Sequence, residues 1–230
     1  MNFRGKTCLI TGAAGNLGRA VAGAFAAEGA SLLLMDHQKD HLQSAYGNEG
    51  EGKRFALADL RDAQSVARAL PAGIGIDILC NVAGGFRMGQ PVHETPDEIW
   101  DLMLGLNAKS VINCARAVVP GMLAAGRGKI INIAALAGLS GKANMGAYTA
   151  SKAAVIRLTE SMSAELRDKG INVNCILPSI IDTPQNRKDM PKADPKRWVA
   201  PEALADVVLF LASDAARAIH GASIPVSGLV

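Results

Sequence analysis

Short apolar segments alternate with helix-length segments along the whole chain, and this alternation limits the possible folds more than any other feature. The apolar segments predict seven strands, at residues 7–10, 31–35, 55–57, 76–82, 129–133, 172–177 and 222–226. The intervening segments predict helices at residues 17–28, 62–70, 96–107, 147–169 and 201–212. A further helix is predicted to continue from residue 107 to residue 125. Strands that are apolar on both faces and separated by helices are typical of a mostly parallel sheet with helices on both faces.

The size and composition of the chain fit a single domain of this kind. The chain has 230 residues, of which 49% are apolar, so it can build one large core, and no repeat or linker divides it. We therefore predict one doubly wound α/β domain of the Rossmann type over residues 1–230, with a seven-stranded sheet.

The charge and hydropathy patterns argue against nucleic-acid and membrane partners. The net charge is +3 and the charged residues are interspersed without a Lys/Arg run, so we expect no nucleic-acid partner. No apolar stretch reaches the roughly 18 residues that cross a bilayer, and the N-terminus runs directly into a strand pattern without a signal peptide. We therefore expect a cytoplasmic protein with no membrane partner.

The cysteines and histidines predict no metal site. Cys8, Cys80, Cys114 and Cys175 fall in three predicted strands and one helix, without metal-ligand spacing, and we expect them to be core residues. The four histidines are scattered along the sequence, and we interpret them as loop and surface residues.

A glycine-rich turn joins the first predicted strand to the first helix, in the order Thr11-Gly12-Ala13-Ala14-Gly15-Asn16-Leu17-Gly18. Glycines here permit a tight turn, let the backbone approach a pyrophosphate, and allow close packing of helix on strand. The N-terminus of the helix then favours the phosphate charge. The residues predicted to bind a dinucleotide are Gly12, Gly15, Asn16, Leu17 and Gly18. Asparagine tolerates positive φ better than most residues, so Asn16 could hold this turn in place of a glycine.

Asp36 ends the second predicted strand, 24 residues after Gly12. An acidic side chain at this place can accept hydrogen bonds from the ribose hydroxyls of NAD, and it repels the 2′-phosphate of NADP. His37, rather than an arginine, follows it. We predict a preference for NAD(H), with NADP(H) still possible. The alternative role for Asp36 is to cap the next helix.

Tyr148 and Lys152 stand four residues apart in the predicted helix 147–169, so they share one face of it. The pKa of a tyrosine is ordinarily about 10, and a nearby ammonium group favours the phenolate. We therefore expect Lys152 to lower the pKa of Tyr148 and to make Tyr148 a usable acid and base.

These features together resemble the short-chain dehydrogenase/reductase family. The resemblance is carried by the glycine-rich turn, the pair Tyr148 and Lys152, and the segments Asn81-Val82-Ala83-Gly84 and Pro178-Ser179-Ile180-Ile181-Asp182-Thr183. The spacing of the glycines is similar to the extended branch of the family, whereas the length and the later motifs are similar to the short branch. The resemblance implies an NAD(P)H-dependent oxidoreductase. In it Tyr148 is the acid and base, and Lys152 is its electrostatic partner and binds the nicotinamide ribose.

The same resemblance assigns roles to further residues. It places Asp59 and Leu60 beside the adenine, Asn81, Ala83 and Gly84 along the cofactor, and Pro178, Ile181 and Thr183 at the nicotinamide carboxamide. Asn107 would bind a water that relays protons to Lys152; alternatively, it is only a polar residue that ends a helix. Family members pair through helices that correspond to residues 107–125 and 147–169, so we expect a homodimer or homotetramer.

Ala135 occupies the place where the family has a serine that donates a hydrogen bond to the substrate carbonyl. Removing one such donor typically costs about 10²–10³ in rate. Three explanations are open. The substrate is reactive enough to need no second donor, or Ser140 or Asn144 replaces the serine, or the chain binds nucleotide without catalysis.

Residues 178–200 form the one long irregular segment, and we predict a substrate lid because they follow the carboxyl end of a strand. From Ile181 to Asp194, and at Trp198, the segment is similar to that of the quinonoid dihydropteridine reductases, which also carry alanine in place of the serine. The alternative is a generic cap on the sheet. Arg187 and Lys188 would either bind an anionic substrate or be solvated.

The similarity of this segment implies hydride transfer to a small molecule with an activated C=O or C=N group, a quinonoid pterin being one candidate. One alternative is a ketone or 3-oxoacyl reductase that has a substitute for the missing serine. The other alternative is a non-catalytic nucleotide-binding protein.

Overall fold

Seven strands form one sheet in the computed structural model, which describes residues 1–230, and every strand pairing is parallel. The strands are β1 (Thr7–Thr11), β2 (Ser31–Asp36), β3 (Lys53–Leu57), β4 (Ile78–Asn81), β5 (Gly128–Ile133), β6 (Ile171–Pro178) and β7 (Ser223–Val226). Their order across the sheet is β3-β2-β1-β4-β5-β6-β7. The winding reverses between β1 and β4, and in open α/β sheets the crevice at such a reversal is the usual ligand site.

Eight α-helices connect or flank the strands. They are α1 (Asn16–Ala27), α2 (Lys39–Tyr46), α3 (Ala63–Ala69), α4 (Asp97–Met103), α5 (Ser110–Ala125), α6 (Gly146–Leu166), α7 (Pro184–Asp189) and α8 (Pro201–Ala212). A π-helical turn, Leu104–Lys109, joins α4 to α5 without a break. Glycines in the left-handed conformation, Gly126 and Gly170, end α5 and the short 3₁₀ turn that follows α6.

Helices cover both faces of the sheet. On one face α1, α2 and α8 contribute Phe25, Leu42 and Val208 to a single apolar cluster. On the other face α3, α5 and α6 close over a second cluster. The predicted doubly wound α/β fold is therefore confirmed, and the sheet is parallel throughout.

The helix predictions differ from the structure in two places. Neither α2 nor α7 was predicted, because each is short and offers little apolar periodicity: Leu42 is the one buried side chain of α2, and α7 has none. The helix α8, by contrast, has the bounds expected from its apolar pattern.

One helical run meets the length and hydropathy of a membrane crossing, contrary to the expectation that no segment would. This run is Asp97–Ala125, whose most apolar 18-residue window has a mean hydropathy of 1.2. The window is 56% buried inside the fold, where α5 packs against β4, β5 and α3. More than half of this window therefore lies inside the fold, as in a core helix, although Leu104 and Leu123 are exposed.

Candidate functional site

Two glycines of the turn between β1 and α1 leave no room for a side chain. Gly12 has a φ of 61°, and a Cβ there would lie 2.7 Å from the Cα of Ala83. A Cβ at Gly18 would overlap the carbonyl oxygen of Gly12. The turn therefore presents bare backbone at the N-terminus of α1, as binding of a pyrophosphate requires.

Asn16 is the first residue of α1 and does not have a positive φ; Asn144 is the one non-glycine residue that does. The tolerance of asparagine for positive φ is therefore not needed at Asn16. The sharp reversal falls earlier, at Gly12, so the chain is already helical at Asn16. The Asn16 side chain instead accepts a hydrogen bond from Arg19 at 3.1 Å.

Side chains from outside the turn fix its position. The Oδ2 atom of Asp36 accepts a hydrogen bond from the backbone N–H of Ala14 at 3.1 Å. The hydroxyl of Tyr46, on α2, donates to the carbonyl of Ala13 at 2.6 Å. Both partners are more than twenty residues away in sequence, so the fold holds the turn ready before any ligand arrives.

Asp36 is buried, with 8% of its side chain exposed, and does not cap α2, whose N-cap residue is Gln38. The capping alternative is therefore wrong. The Oδ1 atom of Asp36 accepts hydrogen bonds from the backbone N–H and the ring Nδ1 of His37, at 2.8 and 2.9 Å. The carboxylate lines the crevice at the end of β2, where ribose hydroxyls could reach it.

His37 and His41 cluster with Asp36, contrary to the interpretation of the histidines as scattered. The carboxylate and ring nitrogens of the three residues lie within 4.8 Å of one another. The two histidines come together because His37 lies directly before Gln38, the N-cap residue of α2, and His41 lies in the first turn of that helix.

A cavity of about 850 Å³ opens at the carboxyl ends of β1, β2 and β4. The predicted cofactor residues that line it are Gly12, Gly15, Asn16, Leu17, Gly18, Asp36, Asp59, Leu60, Ala83 and Gly84. The lining residues that were not predicted are Ala14, His37, His41, Ala58, Arg61, Val82, Leu102 and Leu106. Most of the unpredicted residues are sequence neighbours of predicted ones, and that adjacency was the available signal. Leu102 and Leu106 come from a distant helical run and had none.

Arg61 and Asp59 form an ion pair with two hydrogen bonds at the rim of this cavity, at 3.0 and 2.9 Å. The hydrogen bonds and charge of Arg61 hold the pKa of Asp59 below its usual value. Both side chains are about half exposed, so the pair contributes little to stability. Its effect is to fix the rim of the cavity and to neutralise Asp59.

Asn81 does not reach the cavity. It lies 3% exposed at the end of β4, where its Nδ2 donates to the Oδ1 of Asn132 at 2.9 Å. Its Oδ1 has no partner within the chain. Of the predicted segment at the end of β4, Ala83 and Gly84 line the cavity and Asn81 supports them from the sheet.

Lys152 and Asn107 lie together beside Gly84, deep in the fold. The Nζ of Lys152 donates to the carbonyl of Ile133 at 2.8 Å, and burial lowers the pKa of this lysine to about 8. A Cβ on Gly84 would lie 2.9 Å from the Oδ1 of Asn107 and 3.3 Å from the Nζ of Lys152. Gly84 therefore keeps open a small space between these two polar groups.

Asn107 does not end a helix, so that alternative is wrong. It lies in the π-helical turn, a type of turn that is frequent at functional sites. Its side chain exchanges two hydrogen bonds with the backbone of Gly85, at 2.8 and 3.1 Å, and donates to Ser151 at 2.9 Å. Asn107 therefore ties the segment after β4 to helix α6, which carries Tyr148 and Lys152.

The pKa of Tyr148 is raised to about 12, because the phenol is removed from water. The expected lowering of this pKa by Lys152 is not found, since the Lys152 ammonium is bonded to Ile133 and is itself destabilised by burial. No group of the chain hydrogen-bonds the Tyr148 hydroxyl. The ring of Phe86 packs edge-on against Tyr148, with ring centroids 4.9 Å apart.

Ala135 is buried, with 6% of its surface exposed, and lies two residues after Ile133, the backbone partner of Lys152. The turn that follows Ala135 packs directly on α6, because a Cβ on Gly138 would lie 2.9 Å from the backbone of Lys152. Ser140 and Asn144 are both exposed, and neither side chain makes a hydrogen bond within the chain. Asn144 instead accepts a backbone hydrogen bond from Gly89 at 2.9 Å.

The segment 178–200 contains α7 and one 3₁₀ turn, and a parallel bridge between Ile181 and Val199 closes its base. Thr183 caps α7 by accepting from the N–H of Asn186 at 3.1 Å. Arg187 pairs with Asp182 at 2.6 Å, so it is not merely solvated, whereas Lys188 is exposed. Pro178, Ile181 and Thr183 therefore lie together at the carboxyl end of β6, outside the 850 Å³ cavity.

The residues present fit a nicotinamide dinucleotide. The glycine-rich turn is a cradle that a Cβ would fill, Asp36 faces the cavity, and the space kept by Gly84 adjoins Lys152. Gly12, Gly15 and Gly18 would hold the pyrophosphate, and Asp36 would hold the adenosine ribose.

Comparison with known proteins identifies the family. The family model for short chain dehydrogenase matches residues 6–194. A 3-oxoacyl-(acyl-carrier-protein) reductase FabG from Thermotoga maritima is 35% identical over 243 residues, which cover 99% of this chain and 98% of that protein. The chain therefore belongs to the short-chain dehydrogenase family and is an NAD(P)-dependent oxidoreductase.

Solved structures give the same result and include both cofactors. NAD⁺-bound xylitol dehydrogenase superposes with a TM-score of 0.90 at 28% identity, over 99% of this chain and 100% of that chain. A protein described as an NAD(P) dependent gluconate 5-dehydrogenase from Beutenbergia cavernae, with NADP bound, also gives 0.90, at 30% identity, over 99% and 97%. The choice between the two cofactors therefore depends on residues of this chain.

Proposed function

We propose that this enzyme reduces a small molecule that has an activated C=O or C=N group, with NADH as the preferred cofactor. A bound nicotinamide would supply the hydride that reduces the carbon, and Tyr148 would donate a proton to the oxygen or nitrogen of the same bond. A quinonoid pterin is the preferred example, because its electron-poor ring accepts hydride readily.

The observation that carries this proposal is the buried methyl group of Ala135 beside an otherwise complete set of polar residues. Ala135 offers no hydrogen bond to a substrate oxygen, and Ser140 and Asn144 are exposed and unbound. A substrate that needs a second donor would therefore react slowly here, by about 10²–10³. This favours a substrate that is already activated.

The protonation states of the site suit reduction. Burial holds the pKa of Tyr148 at about 12, so the phenol carries its proton at neutral pH and can donate it. Lys152, with a pKa of about 8, remains mostly charged at pH 7 and lies on the same face of α6 as Tyr148. Asn107 fixes the helix that carries both groups against the segment after β4.

The NADH preference rests on Asp36. Its carboxylate is buried at the end of β2 and lines the cavity where the adenosine ribose would lie. A carboxylate there accepts hydrogen bonds from ribose hydroxyls and repels a 2′-phosphate. Asp36→Ala should therefore weaken NADH binding and reduce the discrimination against NADPH.

A second candidate function is reduction of a ketone or 3-oxoacyl group, and the similarity to the Thermotoga maritima reductase favours it. In this case a residue other than Ala135 would have to donate to the carbonyl when substrate binds. Asn144 is our candidate for this donor, because it is the one non-glycine residue with a positive φ, 60°, and it lies in the loop before α6.

Ala135→Ser separates the two candidates. Wild type and variant are assayed for NADH oxidation with freshly generated quinonoid dihydropterin and with an acetoacetyl thioester. We expect wild type to turn over the pterin and the added serine to change that rate by less than about threefold, while thioester reduction rises by at least about tenfold. Rapid thioester turnover by wild type, reduced by Asn144→Ala, would instead establish the second candidate.

We further propose that copies of the chain pair through α5 and α6, as a homodimer or homotetramer. Sedimentation velocity over a range of concentrations would test this, and a monomer at every concentration would contradict it.

A further inference from the structure

We propose that His37 and His41 act as a pH-dependent discriminator between NADPH and NADH. When protonated, the two imidazoles bind the 2′-phosphate of NADPH; when they are neutral, Asp36 excludes that phosphate. The inference rests on the proposed binding of a dinucleotide in the 850 Å³ cavity, with its adenosine ribose at Asp36.

The geometry places both rings where a 2′-phosphate would lie. His37 and His41 line the same cavity as Asp36, and the nitrogens and carboxylate oxygens of the three residues are within 4.8 Å of one another. The two rings meet edge to face, with centroids 5.6 Å apart. Both side chains are exposed, so a phosphate can approach them without a rearrangement of the fold.

The other charged groups nearby nearly balance. From the loop after β3, Asp59 faces His37, but Arg61 neutralises it through their ion pair. On α2 itself, Lys39 and Asp40 stand between the two histidines in sequence and carry opposite charges. From α1, Arg19 adds a positive charge beside the glycine-rich turn, where it donates to Asn16. With neutral imidazoles, Asp36 is therefore the negative charge that lines the ribose end of the cavity without an ion-pair partner.

Protonation of the histidines reverses this balance. The Nδ1 of His37 lies 2.9 Å from the Oδ1 of Asp36, so Nε2 is the ring nitrogen that remains free to bind a phosphate. The imidazolium then forms an ion pair with Asp36 and presents a new N–H donor, and His41 adds a second positive charge. Charge-assisted hydrogen bonds to phosphate are strong, and imidazoles ordinarily change charge between about pH 5 and 8.

The phosphate also titrates, with a second pKa of about 6, so a matched variant is needed to isolate the histidines. The double variant His37→Gln, His41→Gln keeps hydrogen-bonding capacity but cannot become charged. His93→Gln serves as the control, because His93 is an exposed histidine that does not line the cavity.

The experiment measures dissociation constants of NADPH and NADH by fluorescence titration, at several values between about pH 6 and 8.5. In wild type and in His93→Gln, we expect the ratio of the NADPH to the NADH constant to fall as the pH is lowered. In the double variant the fall in this ratio should be smaller by about fivefold to tenfold. The fall that remains reflects the titration of the phosphate alone.

The same fall in the double variant as in wild type, or no fall in wild type, would overturn the discriminator. NADH binding that is tight and independent of pH in every variant would still support the proposed cofactor in that case. Failure of both nucleotides to bind at any pH would instead overturn the dinucleotide proposal, and the discriminator with it.

Discussion

The adenosine half and the chemical half of the site are built differently. In the adenosine half, Asp36 and Tyr46 hydrogen-bond the glycine-rich turn, and a single cavity is already open. In the chemical half, the Tyr148 hydroxyl has no partner within the chain, and burial destabilises the charge of Lys152. The adenosine half presents its backbone and carboxylate groups to an open cavity, whereas the chemical half holds ionisable groups away from water.

This difference has a physical origin in the two groups of residues. Backbone N–H groups and a helix N-terminus bind phosphate without any titrating group, so the turn needs no change of protonation to bind it. Burial instead shifts the pKa values of Tyr148 and Lys152, and removing an ionisable group from water destabilises its charged form. The contrast can be tested by substitutions in each half.

The largest effect is expected from Gly18→Ala in the adenosine half. The new Cβ would overlap the carbonyl oxygen of Gly12, so the turn would have to move away from the position that binds a pyrophosphate. We expect NADH affinity to fall by about 100-fold or more, and the protein to lose about 2 kcal/mol or more of stability.

The matched control for Gly18→Ala is Gly23→Ala, in the same helix. A Cβ at Gly23 meets no atom within 4 Å, so this variant should be more stable than wild type by about 1 kcal/mol, with unchanged NADH affinity. Isothermal titration and urea unfolding measure both quantities. Equal losses in the two variants would show that the turn is not preformed for phosphate.

A smaller effect of opposite sign is expected from Lys152→Met in the chemical half. Burial lowers the pKa of Lys152 from 10.5 to about 8, so the charged lysine destabilises the folded protein wherever it is protonated in both states. At pH 7 the substitution should raise the free energy of unfolding by about 1–3 kcal/mol and should abolish turnover.

The pH dependence of this gain follows from the direction of the shift. Between about pH 8 and 10.5 the unfolded chain binds the proton that the folded protein releases, so wild type becomes more stable relative to the variant as pH rises. Urea unfolding at both ends of this window measures the difference, with exposed Lys169→Met as control. If Lys152→Met raised the free energy of unfolding equally at both ends of this pH window, the lowered pKa of Lys152 could not be the cause.

The smallest effect is expected from Tyr46→Phe. This change removes the hydrogen bond to the carbonyl of Ala13 but keeps the ring, which packs near Phe55. We expect a loss of about 1 kcal/mol of stability and a weakening of NADH binding by about threefold to tenfold. NADH binding unchanged by the substitution, measured by the same titration, would show that Tyr46 does not position the turn.

The adenosine half could be predicted well from the sequence, because its signals are local. The glycine-rich turn and Asp36 follow directly from strands β1 and β2 and account for six of the 18 residues that line the cavity, and the family resemblance supplied four more. The partnership of Tyr46 with Ala13 could not be found, since it spans 33 residues and depends on the unpredicted helix α2. The proximity of His37 and His41 was missed for the same reason.

The chemical half could be predicted as a set of residues but not as a set of charges. The spacing of Tyr148 and Lys152 places both on one helix face, yet their pKa values depend on burial and on the bond from Lys152 to Ile133. Those are tertiary properties that no local pattern contains. The π-helical geometry around Asn107 was likewise hidden, because the apolar pattern continues through it into α5.

The most direct test of a preformed binding half and a separate chemical half is a comparison of wild type with Tyr148→Phe. The NADH dissociation constant and the rate of NADH oxidation with quinonoid dihydropterin are measured for both proteins. We predict dissociation constants within about twofold of each other and a loss of turnover of about 10²–10⁴. NADH binding that weakens in parallel with turnover would contradict the separation of the two halves. Undiminished turnover would contradict the assignment of Tyr148 as the proton donor.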